Sequence, residues 1–159
     1  MIITLDSHIY DLIIATPGMT EHLNLLSTTG KIQILTTHIQ EDELAKIRDS
    51  QKRADIAKII RVKMPTSGAV YGTSQYGWSS YGDGSLGGLS PSQIRSARGN
   101  HTHDALIAST ASLHCSIFVT EEKRLQRRIK QTDAQCQVWT FLQFKEFVES
   151  TNKDQANPK

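Results

Sequence analysis

Ile2-Ile3-Thr4-Leu5-Asp6 is the stretch on which the fold turns. Three β-branched residues followed by leucine favour a short buried strand, and the Asp6 carboxylate stops it. Ile9, Leu12, Ile13 and Ile14 then recur at near-helical spacing, so the chain opens as a strand followed by a helix. The alternation continues outward from there. After the punctuation of Thr16-Pro17-Gly18, Leu23, Leu25 and Leu26 predict a helix that stops at Gly30 with a left-handed cap, and a strand follows at 32–35. Over 39–61, Leu44, Ile47, Ala54, Ile56, Ile59 and Ile60 interleave with charge, which predicts one amphipathic helix, or two broken near Asp49-Ser50, before Pro65. Beyond residue 99 the pattern predicts a helix through Ala105, Leu106, Ile107, Ala108, Ala111 and Leu113, then a strand at 116–119 and a helix at 121–129. A strand at 137–139 and a helix at 141–148 complete the series. Short strands alternating with helices predict an α/β domain: a mainly parallel central sheet of about four or five strands with helices on both faces.

The 159 residues suit a single domain, taken as 1–150, with a polar tail at 151–159 whose last residues, 152–159, are expected to be disordered. A formal charge of +2 is too small to imply nucleic acid or membrane binding by itself, so any basic footprint must be local. Cys115 and Cys136 match neither a disulfide framework nor a CxxC metal spacing, and are read as reduced thiols of a cytoplasmic protein. The apolar N-terminus carries Asp6 and Asp11 and lacks a basic leader, and no apolar run approaches the length of a membrane span, so no membrane partner is expected.

Residues 66–99 change character. They hold eight of the ten glycines, together with Tyr71, Tyr76, Trp78 and Tyr81, and read as a long loop inserted into the domain. Its rings are candidates for stacking on unpaired bases, with packing against another subunit as the plainer role.

In a parallel sheet, ligands bind beyond the carboxyl ends of the strands, and the residues there are acidic. Asp6 closes the first strand, Glu41, Asp42 and Glu43 follow the second, Asp104 opens the helix after the loop, and Glu121 and Glu122 close the strand at 116–119. Helix capping accounts for any one of them. Several carboxylates converging on one edge repel each other, and are what hard cations such as Mg2+ or Mn2+ require.

Three motifs resemble the PIN domain family, the VapC-like metal-dependent ribonucleases. Ile3-Thr4-Leu5-Asp6-Ser7 looks like the family's first strand, and Ile39-x-x-x-Glu43-Leu44 like its second acidic motif. Asp104-Ala105-Leu106-Ile107-Ala108-Ser109-Thr110-Ala111, followed by Phe118-Val119-Thr120-Glu121-Glu122-Lys123-Arg124-Leu125, is similar to its Asp-Ala-Leu-Ile-Ala helix and Val-Thr-Asn-Asp strand end. The resemblance covers roughly 1–64 and 100–148 and implies a PIN-like three-layer α/β/α sandwich. Two departures stand out: Glu121-Glu122 replaces Asn-Asp, and His8 stands where the family commonly has a small polar residue.

Carried over, the resemblance implies a catalytic and metal-binding set of Asp6, Glu43, Asp104 and Glu122 with Thr120 in support, loaded with Mg2+ or Mn2+. Glu41 and Asp42 are weaker substitutes for Glu43, because helical spacing cannot point all three inward. The activity implied is endonucleolytic hydrolysis of single-stranded RNA, in the role of the toxin of a toxin–antitoxin pair. The partners expected are RNA, an antitoxin protein and a second copy in a homodimer. The alternative is a PIN-fold module that binds RNA or protein without cleaving it.

Phosphate contacts are expected from Arg124, Arg127 and Arg128 with Lys123 and Lys130, and from Arg48, Lys52 and Arg53, with a solvated helix face as the competing role; Tyr76 and Trp78 are the stacking candidates. His101 and His103 beside Asp104 read as solvated or capping histidines, and His114 and Cys115 as buried structural residues.

Overall fold

The structure, a computed structural model, describes residues 1–64, 107, 110–130 and 136–156. Five parallel strands form one sheet in the order β3-β2-β1-β4-β5: β1 (Ile2–Leu5), β2 (Gln33–Thr37), β3 (Val62–Met64), β4 (Ile117–Val119) and β5 (Gln137–Trp139). Between and after them run helices α1 (Ile9–Ala15), α2 (Met19–Thr28), α3 (His38–Ala45), α4 (Ser50–Ala57), α5 (Lys123–Lys130) and α6 (Phe141–Ala156). The expected α/β class with a parallel sheet is therefore observed.

The period-2 alternation of the strands splits the core between the two faces of the sheet. Ile3, Leu5, Ile34, Ile117 and Val119 pack with Tyr10 and Ile13 of α1, Leu23 and Leu26 of α2, Ile56 of α4, and Phe144 and Val148 of α6. Leu35 and Phe118 belong to a second cluster, with Ile39, Ile107, Ala111, Leu125 and Ile129. Register places Ile3 between Ile34 and Ile117, and Thr4 between Leu35 and Phe118, so the first strand is the centre of the sheet.

Several local expectations are met, and others are corrected. α2 stops just ahead of Gly30, whose φ of +71° is the left-handed conformation glycine adopts without steric cost. Leu23 and Leu26, one helical turn apart, are buried, whereas Leu25 falls off that face and is exposed. The 39–61 stretch forms two helices, because the Asp49 carboxylate accepts hydrogen bonds from the N–H groups of Gln51 (2.9 Å) and Lys52 (3.0 Å) and starts α4 afresh. Val62–Met64, beyond that stretch, is an edge strand paired with β2 whose exposed Val62 and Lys63 leave no buried run to mark it in sequence. At the other end α6 continues to Ala156 through most of the expected tail. His114 is exposed and not buried as expected, since it lies at the end of its helical turn, while its neighbour Cys115 turns into the core.

The sequence order of the strands changes direction at the centre of the sheet. From β1 the chain builds β2 and β3 to one side, then crosses to β4 and β5 on the other. Parallel sheets open a crevice where the order reverses, here beyond the carboxyl ends of β1 and β4. Asp6 and Thr120 are the residues that follow those two strand ends.

Candidate functional site

Asp6 is only 5% exposed, although it carries a carboxylate. Its backbone is fixed on both sides: the Asp6 N–H donates to the Val119 carbonyl (2.9 Å), and the Asp6 carbonyl accepts from Ile9 N–H (2.9 Å) as α1 begins. The Thr120 hydroxyl donates to Asp6 Oδ2 (2.7 Å) and accepts from Glu122 N–H (3.0 Å), so one buried hydroxyl ties the end of β1 to the turn carrying Glu122. Thr120 is held in turn by its N–H on the Trp139 carbonyl (3.0 Å) and by the Gln126 amide on its own carbonyl (2.8 Å).

Ser7 joins the third element. Its hydroxyl donates to Glu43 Oε2 at 2.5 Å, bringing α3 against the residue that follows Asp6. Glu41 turns elsewhere and pairs with Arg61 through Nε (3.0 Å) and Nη2 (3.2 Å). That guanidinium also donates to the Ile56 carbonyl (2.7 Å) and lies 5.4 Å from the centroid of the Tyr10 ring. Asp42 is exposed, so among the three acidic residues of α3 only Glu43 is drawn to the crevice. The same sorting separates Glu121 from Glu122: Glu121 Oε1 accepts from Phe141 N–H (2.7 Å) and caps α6.

Asp6, Thr120, Ser7 and Glu43, with the backbone of Glu122, thus meet at the switch point, while Asp104, Tyr76 and Trp78 lie outside the described residues, as do His101, His103 and the loop 66–99. The donors gathered here are all oxygens, the chemistry a hard divalent cation needs. Among the described residues, however, no group of three or more His, Cys, Asp or Glu side chains is placed to hold a metal ion. The described carboxylates therefore do not by themselves form a metal centre.

Of the expected phosphate contacts, Arg124 and Arg127 are exposed on α5, opposite the buried Leu125 and Ile129, and Arg128 lies on the same helix. Arg48 is exposed. Lys52 pairs with Asp11 (2.8 Å), and Arg53 donates to the Ile47 carbonyl (2.8 Å), which gives both a structural contact on α4. The sequence pattern assigned no role to Ser7 or to Gln40, which is fully buried at the start of α3. The available signal was the Thr37-x-x-Gln40 spacing of a capping box.

In β1, two residues before Asp6, the Thr4 hydroxyl lies 2.6 Å from Cys115 Sγ. Burial pushes the Cys115 thiol up to about 11, against the pull of that hydrogen bond, and burial together with nearby Cys115 pushes Cys136 up to about 12. Burial likewise raises Tyr10 above the ordinary tyrosine range. The unfolded chain releases these thiol protons first, near pH 9, so the stability gained by burying neutral thiols is intact below that pH and is lost as pH rises through 11 to 12. The urea midpoint should hold between pH 7 and 8.5 and fall above 9, as the unfolding free energy drops by about 1.4 kcal/mol per pH unit for each thiol. A flat midpoint to pH 11 would show that the thiols are not shielded.

No protein-family model matches the chain, and no curated protein matches it. Among solved structures, it is similar to the crystal structure of VapBC2 from Rickettsia felis bound to a DNA fragment from their promoter. The TM-score is 0.48 at 16% identity, over 88% of this chain and 98% of that one. Among the described residues, no helix is long and apolar enough to cross a membrane.

Proposed function

We propose that the protein is a Mg2+- or Mn2+-dependent endoribonuclease acting on single-stranded RNA. The observation that carries this reading is the buried Asp6 carboxylate at the switch point, held by Thr120 and flanked by Ser7 and Glu43. Its place beyond the carboxyl ends of β1 and β4, where the strand order reverses, is where parallel sheets take their ligands, which favours a binding role over helix capping alone. The motif resemblance supplies the reaction class and the fourth carboxylate, Asp104.

In this reading Asp6, Glu43, Asp104 and Glu122 would together hold the cation. When bound, the cation supplies charge for the phosphate and a lowered pKa for the attacking water. The chain's own contribution is positional. Thr120 keeps Asp6 and the Glu122 turn in register, Ser7 keeps Glu43 beside them, and the exposed arginines of α5, which begins directly after Glu122, receive the phosphates on either side of the cut. Water is the nucleophile, and the products are a 5′-phosphate and a 3′-hydroxyl. As a toxin, the protein would arrest growth unless an antitoxin covered this edge, and it would act as a homodimer in the cytoplasm.

Purified protein should cleave a single-stranded RNA with Mn2+, stop with EDTA, and resume when Mn2+ is restored. RNA binding with no metal-dependent cleavage would instead identify a binding module. Arg124→Gln combined with Arg127→Gln should weaken RNA binding and flatten its salt dependence, by about 0.7 in the log–log slope for each phosphate that is no longer neutralised. An unchanged slope would assign these arginines to a solvated helix face.

A further inference from the structure

We propose that Gln40 is a positioning residue that sets the distance between the two sides of the acidic edge; this rests on the ribonuclease reading above. Gln40 has no exposed surface, and its side chain spans from the end of β2 to the end of β1. Gln40 Oε1 accepts the Thr37 N–H (3.0 Å), and its Nε2 donates to the carbonyl of Leu5, the residue immediately before Asp6. The Thr37 hydroxyl completes a capping box by accepting from Gln40 N–H (3.3 Å).

The two main-chain groups that Gln40 joins are one donor and one acceptor. A side chain that satisfies both must carry an acceptor and a donor on the same short head, which an amide does. Glutamate of the same length offers no donor to Leu5, and methionine offers neither function. Gln40 therefore does what an ordinary capping glutamine does not: it couples the helix carrying Glu43 to the strand that delivers Asp6. One turn of α3 separates Gln40 from Glu43, so the strut and the carboxylate move as one unit against Ser7 and Asp6.

The protein contains its own control. At the start of α6, Gln143 forms the same type of box with Thr140, its Oε1 accepting the Thr140 N–H (2.9 Å) and its N–H donating to the Thr140 hydroxyl (3.3 Å), and its carboxamide reaches no strand beside Asp6. Gln40→Met and Gln143→Met each remove a capping box, but only the first removes the strut. Calorimetric titration with Mn2+ alone, steady-state cleavage of a single-stranded RNA, and a metal-free thermal melt should be run on wild type and both variants. Gln40→Met should weaken Mn2+ binding by about 10- to 100-fold, in the range of partners that orient metal-holding groups, and lower kcat with little change in KM. Gln143→Met should leave both unchanged while its melt shifts down.

If Gln40→Met fails to fold, Gln40→Glu keeps the acceptor for the Thr37 N–H but sets a carboxylate oxygen against the Leu5 carbonyl in place of the donor, and should show the same fall in kcat. Equal Mn2+ affinity and kcat in wild type and a folded Gln40 variant would overturn the proposal while leaving the ribonuclease reading in place. A wild-type protein that neither binds Mn2+ nor cleaves RNA would overturn that reading, and this proposal with it.

Discussion

Asp6→Asn is expected to lower metal-dependent RNA cleavage by at least about 100-fold, at or beyond the upper end of what partners outside the immediate ligand shell carry. Over the same substitution the melting temperature of the metal-free protein should hold or rise. The two readouts separate because the groups that build the site locally are main-chain groups that asparagine retains: the N–H on Val119 and the carbonyl receiving Ile9 N–H. Asparagine Oδ1 can still accept the Thr120 hydroxyl. What is lost is a negative charge in a 5%-exposed position at an acidic edge, and removing it relieves repulsion while leaving no cavity. A gain of about 0.5–2 kcal/mol is the usual size for relieving such a functional compromise. Strong destabilisation without metal would show instead that the charge serves the start of α1, and cleavage at the wild-type rate would remove Asp6 from the chemistry.

The sheet was legible because its central strands are short β-branched or aromatic runs ended by polar residues, as in Ile2-Ile3-Thr4-Leu5-Asp6 and Ile117-Phe118-Val119-Thr120. β3 was not, because at the sheet edge its partner on one side only leaves Val62 and Lys63 exposed, and the central lysine breaks any apolar run. Which glutamate of Glu41-Asp42-Glu43 turns to the crevice could be narrowed by helical spacing but not decided. The choice depends on Arg61, twenty residues away, which draws Glu41 to the Tyr10 side, and on Ser7, which draws Glu43 to the other. Glu121 and Glu122 are adjacent in sequence, and only the start of α6 tells them apart. Gln40 escaped notice for a related reason: its first partner, Thr37, is local and has a sequence signature, whereas its second, the Leu5 carbonyl, is a backbone group that no side-chain pattern announces.

Phe118→Ala should be the most damaging single core substitution on the face of the sheet covered by α5, with a loss of about 3–5 kcal/mol in urea unfolding. Phe118 has no exposed surface and is the largest fully buried side chain of its cluster; its neighbours are Leu35, Ile39, Ile107, Ala111, Cys115, Leu125, Ile129 and Cys136. The other face distributes its burial over Tyr10, Phe144 and a larger set of isoleucines and leucines, so no single residue there stands for as much of the layer. Mid-strand position compounds the loss. Phe118 is opposite Thr4 in β1 and Val138 in β5, so a cavity beneath it has rigid ladders on both sides and little freedom to collapse. Domains of this size hold roughly 5–15 kcal/mol in all, so the variant should sit near the threshold of folding. Phe118→Leu, which refills most of the volume, should recover much of the loss. Because Thr120 lies two residues on and points to the crevice, the leucine variant should keep the Asp6 tether and with it any metal-dependent cleavage. If Phe118→Ala costs less than about 1 kcal/mol, the helices on this face must close over the vacancy, a response expected only of a loosely packed layer.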